Sequence, residues 1–167
     1  AVGYNAGQDM STGQRNTLVG TASGANLTTG IRNVAIGYEA LAAEDGHGYN
    51  VAIGYAALKT QNAGADAYNT AVGHQAGTAV TTGIKNILLG GKAGLALTTG
   101  SNNIAIGHGA LQTEDAHGRN VAIGDGALYY LNAGIEGQNV AIGYVAGTSM
   151  TTGIYNNLIG GECGDAL

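Results

Sequence analysis

The sequence predicts an all-β fold, a parallel β-solenoid, and three observations carry that prediction. An Asn followed by an apolar triplet and a Gly returns nine times, at Asn16, Asn33, Asn50, Asn69, Asn86, Asn103, Asn120, Asn139 and Asn156. Within each phrase the side chains alternate with period 2, as in Val34, Ala35 and Ile36, and not with the helical period of about 3.6. Glycine is also too abundant for helix, because 31 of the 167 residues are Gly, and each one inside a helix costs about 1 kcal/mol relative to Ala.

The nine markers are spaced 17, 17, 19, 17, 17, 17, 19 and 17 residues apart. That series itself repeats, so residues 71–140 restate 1–70 and the chain has a 70-residue super-repeat. Residues 1–167 therefore read as one repeat domain of about nine to ten coils of 17 or 19 residues, with no shift in composition to mark a boundary. Stacked at about 4.8 Å per rung, such coils form a rod of roughly 45 Å. Both ends stop inside a repeat without a cap, which leads us to expect a segment of a longer fibre.

Each coil divides into columns. In the triplet, the first and third residues are expected to enter a thin core, while the middle one faces away from it. That middle position is Ala35, Ala52, Ala71, Ala105, Ala122 and Ala141, interrupted by Leu18, Leu88 and Leu158. It is expected to form a flat strip for packing against another chain, with the leucines setting register. The Gly that follows, Gly37 for example, marks a corner needing a positive φ or close backbone approach. A second short strand is expected next, with Ser23, Ala40, Ala57, Ala76, Ala93, Ala110, Ala127, Ala146 and Cys163 in one column. Cys163 stands in an alanine slot and reads as a small buried residue.

The next column alternates Gly (24, 77, 94, 147, 164) with Leu (41, 58, 111, 128). Where it is Gly, an apolar residue follows three positions later (Leu27, Val80, Leu97, Met150, Leu167). After three of the Leu, that place holds Glu44, Gln61 or Glu114. One substantial apolar group per coil is the expectation, with Leu131 outside the rule. The Asn column suits turn geometry and an amide ladder from rung to rung.

Composition excludes several functions. Six Lys plus Arg and a net charge of −5 provide no basic stripe, so nucleic acid is not an expected partner, and no apolar run approaches the length that inserts in a membrane. A single Cys excludes a disulfide framework. No nucleophile constellation exists, and the "GGK" at Gly90 to Lys92 lacks the spacing of a phosphate loop. We expect no catalytic residues, no cofactor and no enzyme. The acid and His clusters Glu44, Asp45, His47 and Glu114, Asp115, His117 read as exposed polar turns, and Asp45, His47, Asp115 and His117 are the candidates should a metal bind. The Thr pairs are missing from too many coils to build an ice-binding face.

A column of rings after the corner Gly, namely Tyr4, Tyr38, Tyr55, His74, His108 and Tyr144, is the candidate surface or glycan contact. It also reads as a stacked structural ladder. The 19-residue coils protrude around Gly64 to Tyr68 and Gly134 to Gln138, where loop tips favour binding.

The phrase N-x-A-[IV]-G-x-x-A, as in Asn33 to Ala40, Asn50 to Ala57 and Asn139 to Ala146, resembles the head repeat of trimeric autotransporter adhesins. It is also similar to repeats in the shafts of phage tail fibres. The resemblance implies a left-handed β-roll assembled as a homotrimer, extracellular, on a cell surface or on a virion, and touching a host-surface glycan or matrix protein. The longer coils and the TTG turns (Thr28 to Gly30, Thr81 to Gly83, Thr98 to Gly100, Thr151 to Gly153) depart from the adhesin pattern. A purely structural filament or sheath subunit is the other reading.

Overall fold

The computed structural model describes residues 1–165. It is all-β: nine three-residue strands, β1 (Thr17–Val19), β2 (Val34–Ile36), β3 (Val51–Ile53), β4 (Thr70–Val72), β5 (Ile87–Leu89), β6 (Ile104–Ile106), β7 (Val121–Ile123), β8 (Val140–Ile142) and β9 (Asn157–Ile159), form one parallel sheet in chain order. Register holds across every coil. Val34 pairs with Val51 over 17 residues and Val51 with Thr70 over 19, so the added residues leave the stack undisturbed. The chain is a β-solenoid in which each coil rests only on its neighbours.

The polarity of the triplet is the reverse of the expected one. Ala35, Ala52, Ala71, Ala105, Ala122 and Ala141 are fully buried by the chain itself, as are Leu18 and Leu88, with Leu158 at 7% exposure. The flanking residues, Val34 and Ile36 among them, face outward. The proposed chain-packing strip of Ala35, Ala52, Ala71, Leu88, Ala105, Ala122, Ala141 and Leu158 is therefore the floor of the core and is covered already. The cross-section is the cause. Alternation puts residues one and three on a common face, and the interior behind the strand has room for a methyl group plus one leucine, not for two β-branched side chains.

That leucine comes from either of two columns. Leu41, Leu58, Leu111 and Leu128 are fully buried beside an Ala in the strand. Where that column is Gly, the strand supplies the volume: a Cβ on Gly77 would lie 2.6 Å from Leu88 Cδ1, and one on Gly94 would lie 2.8 Å from Leu88 Cδ2. Leu18 fills the same space against Gly7 and Gly24, and Leu158 against Gly147 and Gly164. One leucine every 70 residues thus serves two glycines. The column of Leu27, Glu44, Gln61, Val80, Leu97, Glu114 and Leu131 is buried in every one of these coils, whether or not a Leu precedes it. The expected trade between the two columns does not exist, and Leu131 is no exception. Leu167 lies outside the described residues.

Among the described residues no coil forms a second strand. After the corner, residues alternate into left-handed backbone, as at Glu39 (φ 52°) and Leu41 (φ 51°), and the chain curls instead of extending. The segment still stacks, with Glu39 N–H donating to Thr21 O and Leu41 N–H to Ala57 O. Its Ala column, Ala40 to Ala146, is buried as expected, while Cys163 is only partly buried. The corner glycines are required by both conformation and space. Gly20 has φ +127°, and a Cβ there would stand 2.6 Å from Gly37 O.

The Asn column makes a different ladder from amide on amide. Each Asn Oδ1 accepts the backbone N–H of the next Asn, from Asn33 N on Asn16 Oδ1 (2.8 Å) to Asn156 N on Asn139 Oδ1 (2.9 Å). In most 17-residue coils Nδ2 then donates to a carbonyl 14 residues on, as from Asn86 to Gly100 O at 2.9 Å and from Asn103 to His117 O at 3.1 Å. Asn50 and Asn120 open the two 19-residue coils, and their Nδ2 atoms are buried without a partner.

Two predictions follow from this packing. Leu88→Ala empties the space shared by Gly77 and Gly94 and lowers unfolding free energy by about 3–5 kcal/mol, measured by denaturant titration; a loss of only the transfer difference between the side chains would mean the coils close over the gap. Asn86→Ala removes two bonds and Asn50→Ala one, so the first variant should unfold at clearly lower denaturant, and equal midpoints would contradict the cross-tie.

Candidate functional site

The surface that stands out is the outer face of the sheet with its margins. Residues one and three of the strands form two parallel rows, and these are Val, Ile or Leu at every place except Thr17, Thr70 and Asn157. Within a row each side chain half-covers the next. Val72 and Ile142 at 37% exposure, and Ile87 at 40%, show how much remains open.

At the end of the strands, the expected ring column lies on the surface throughout: Tyr4, Tyr38, Tyr55, His74, His108 and Tyr144 are all exposed. The structure brings only three of them together. Tyr38 and Tyr55 stack with centroids 5.4 Å apart and planes 8° off parallel, and Tyr55 stacks on His74 at 5.2 Å and 12°. Tyr55 thus has both ring faces occupied. A sugar stacks on a ring face, so the interior of this ladder offers it edges only. Gly91 ends the stack, Thr21 separates Tyr4 from Tyr38, and Asp125 separates His108 from Tyr144.

A second ladder, at the start of the strands, was not anticipated. The residue before each Asn is left-handed in all nine coils, from Arg15 (φ 61°) to Tyr155 (φ 58°). In three successive coils this column stacks: the Arg32 guanidinium lies 5.2 Å from the centre of the Tyr49 ring and donates to its hydroxyl, and Tyr49 stacks on Tyr68 at 4.8 Å. The signal was in the sequence, because the column holds Arg15, Arg32, Tyr49, Tyr68, Lys85, Asn102, Arg119, Gln138 and Tyr155 at a fixed offset from the marker.

The acid and His clusters are not plain exposed turns. Glu44 and Glu114 are fully buried in the core column described above. Each Oε1 accepts the backbone N–H of the His three residues on, at 3.1 Å for His47 and 3.2 Å for His117. The imidazole then folds back, with Nδ1 of His47 3.4 Å and Nδ1 of His117 3.2 Å from the same oxygens. Asp45 Oδ1 is 3.9 Å from His47 Nδ1. Burial pushes the Glu44 carboxyl above its ordinary range, against the opposing pull of the His47 amide and ring. The two clusters lie four coils apart and share no residue.

The longer coils protrude as expected. Gly64, Ala65 and Asp66, and Gly134, Ile135 and Glu136, are exposed, and nothing lies within 4 Å of a Cβ built on Gly64 or Gly134.

In comparisons with known proteins, the chain matches no family model, no curated protein sequence and no solved structure.

Within the column after the corner Gly, the stack is confined to Tyr38, Tyr55 and His74. Tyr55→Ala, which loses two stacked neighbours, should cost about 1–3 kcal/mol, whereas Tyr144→Ala should be near neutral; equal denaturation midpoints for the two variants would show that the stack carries no energy.

Proposed function

We propose that the chain is a non-enzymatic β-solenoid segment of an extracellular or virion-borne fibre, self-associating as a homotrimer and presenting adhesive surface to a host. One observation carries this reading: a parallel sheet with only one face covered. Parallel sheets are almost always buried on both faces, and here the inner face meets the core while the outer rows of Val, Ile and Leu meet water. At about 4.8 Å per strand the rows run about 40 Å, and a width near 10 Å gives on the order of 400 Å². With the Tyr ladders at both margins included, such a strip approaches the ~800 Å² per partner of a stable interface.

The trimer and the fibre come from the resemblance of N-x-A-[IV]-G-x-x-A to adhesin heads and tail-fibre shafts, and the outer face replaces the Ala strip as the contacting surface. For adhesion, His108 and Tyr144 are better placed than the stacked rings, because no ring covers their faces. A structural filament subunit without a ligand is the second reading, favoured by a Tyr38–Tyr55–His74 ladder whose interior faces are spent on each other.

Sedimentation and light scattering of the full chain test the assembly. The wild type should be trimeric at micromolar concentration and Ile106→Lys, whose side chain points outward, should be a folded monomer; a monomeric wild type rejects the reading. Binding to a glycan array that is lost in Tyr144→Ala would separate adhesin from bare filament.

A further inference from the structure

We propose that Glu44, Asp45 and His47 form a binding site for a divalent transition-metal ion of the zinc type; the like-spaced trio Glu114, Asp115 and His117 is already satisfied from within the chain, Glu114 Oε2 by Ala133 N–H at 3.4 Å and His117 Nδ1 by Glu114 Oε1 at 3.2 Å. In each trio one ligating atom per residue lies within 4.8 Å of the other two. Zinc holds N and O donors at about 2.0–2.2 Å, which sets those donors about 3–3.5 Å from one another. His47 Nδ1 already stands 3.4 Å from Glu44 Oε1 and 3.9 Å from Asp45 Oδ1, and His117 Nδ1 stands 3.2 Å from Glu114 Oε1. Contraction by a few tenths of an ångström at His47, and by up to about 1.5 Å where donors stand furthest apart, completes the set.

A second observation points to a ligand independently of this spacing. Glu44 is fully buried, and its Oε2 has no hydrogen-bond partner among the described residues; His47 Nδ1 is likewise buried and without one. A buried carboxylate oxygen and a buried ring nitrogen left unpaired are costly, and native structures rarely leave such groups so. A cation bound by the Glu44 carboxylate through both oxygens and by His47 Nδ1 satisfies both at once.

The loop is also tied in place by hydrogen bonds before any ion arrives. Its turn is closed by the His47 N–H on Glu44 Oε1, and Asp45 O accepts from both Thr28 N (2.6 Å) and Thr28 Oγ1 (2.9 Å) of the preceding coil. Asp115 O accepts from Thr98 in the same way. One imidazole with two carboxylates suits zinc, cobalt or manganese better than calcium, which prefers an all-oxygen set. Three ligating residues leave further positions for water or for a group from a second molecule.

Titration calorimetry of the chelator-treated full chain with zinc chloride tests the proposal. One equivalent should bind saturably and His47→Gln should remove it, while His117→Gln and His74→Gln keep it. Asp45→Asn, at an exposed position, weakens the site and guards against a folding defect in His47→Gln, with circular dichroism as the check. Absence of saturable binding overturns the proposal, as does undiminished stoichiometry in His47→Gln; tighter binding of calcium than of zinc overturns the assigned class of ion.

Discussion

The Asn column is the constraint on which the other features depend. Each coil must leave the left-handed residue before the strand and enter extended backbone, and at that point the Asn N–H has no sheet partner of its own. The side-chain oxygen of the preceding Asn supplies the acceptor, in an unbroken series from Asn16 to Asn156. The same side chain uses Nδ2 to hold a carbonyl 14 residues further along its own coil, and thereby closes the coil. Asp has no donor for the second bond, and Ser is too short to make both. This explains why the coil is 17 residues long by default. It also explains what an insertion costs: in the 19-residue coils the carbonyl moves away, and Asn50 and Asn120 keep a buried Nδ2 without a partner.

A coil closed this tightly has almost no interior, and the remaining sequence rules follow from volume. Ala with Leu, or Leu with Gly, fills a level, and an adjacent Ala with Gly level borrows from the neighbouring leucine, as Ala71 with Gly77 borrows from Leu88. The super-repeat is the period of this sharing. Left-handed backbone at Leu41, Leu58, Leu111 and Leu128 is strained for a side-chain-bearing residue by about 1–2 kcal/mol each, and burial of the leucine, worth about 1.5–3 kcal/mol, offsets that strain. Where the column is Gly the strain vanishes together with the burial.

Most of the architecture was legible in the sequence: the rung, its period, the corner glycine and the buried Ala column all follow from spacing. The polarity of the strand was not, because alternation says that Val34 and Ile36 share a face and is silent on which face it is. Size was the missing argument. Two β-branched residues and Leu41 cannot fit behind one short strand, and the counter-variation of Leu88 with Gly77 and Gly94 was present in the sequence as a sign that the middle position faces inward. The supposed second strand failed for a related reason, since spacing does not reveal left-handed φ at Glu39 and Leu41. Glu44 and Glu114 looked like turn acids by type, although the column they share with Leu27, Leu97 and Leu131 marks them as interior. The ring stack was partly legible, with Tyr38, Tyr55 and His74 in one column, whereas the Arg32, Tyr49 and Tyr68 ladder required reading backward from the marker.

The reversed polarity changes what the repeats say about the molecule's surroundings. The nine coils are an internal comparison of which residues each position accepts. The third strand residue faces outward, yet it is Val, Ile or Leu in all nine, from Val19 to Ile159. Strand propensity alone does not demand this, because Thr serves a half-exposed strand as well, and Thr17 and Thr70 show that the sheet tolerates it in the neighbouring row. Nor does the core demand it, since these side chains never enter the core. What an unbroken apolar row on the outside does suit is cover by another surface, and the same rows in register over nine strands suit a partner that is itself a straight, regularly spaced object. A second copy of this chain has that form.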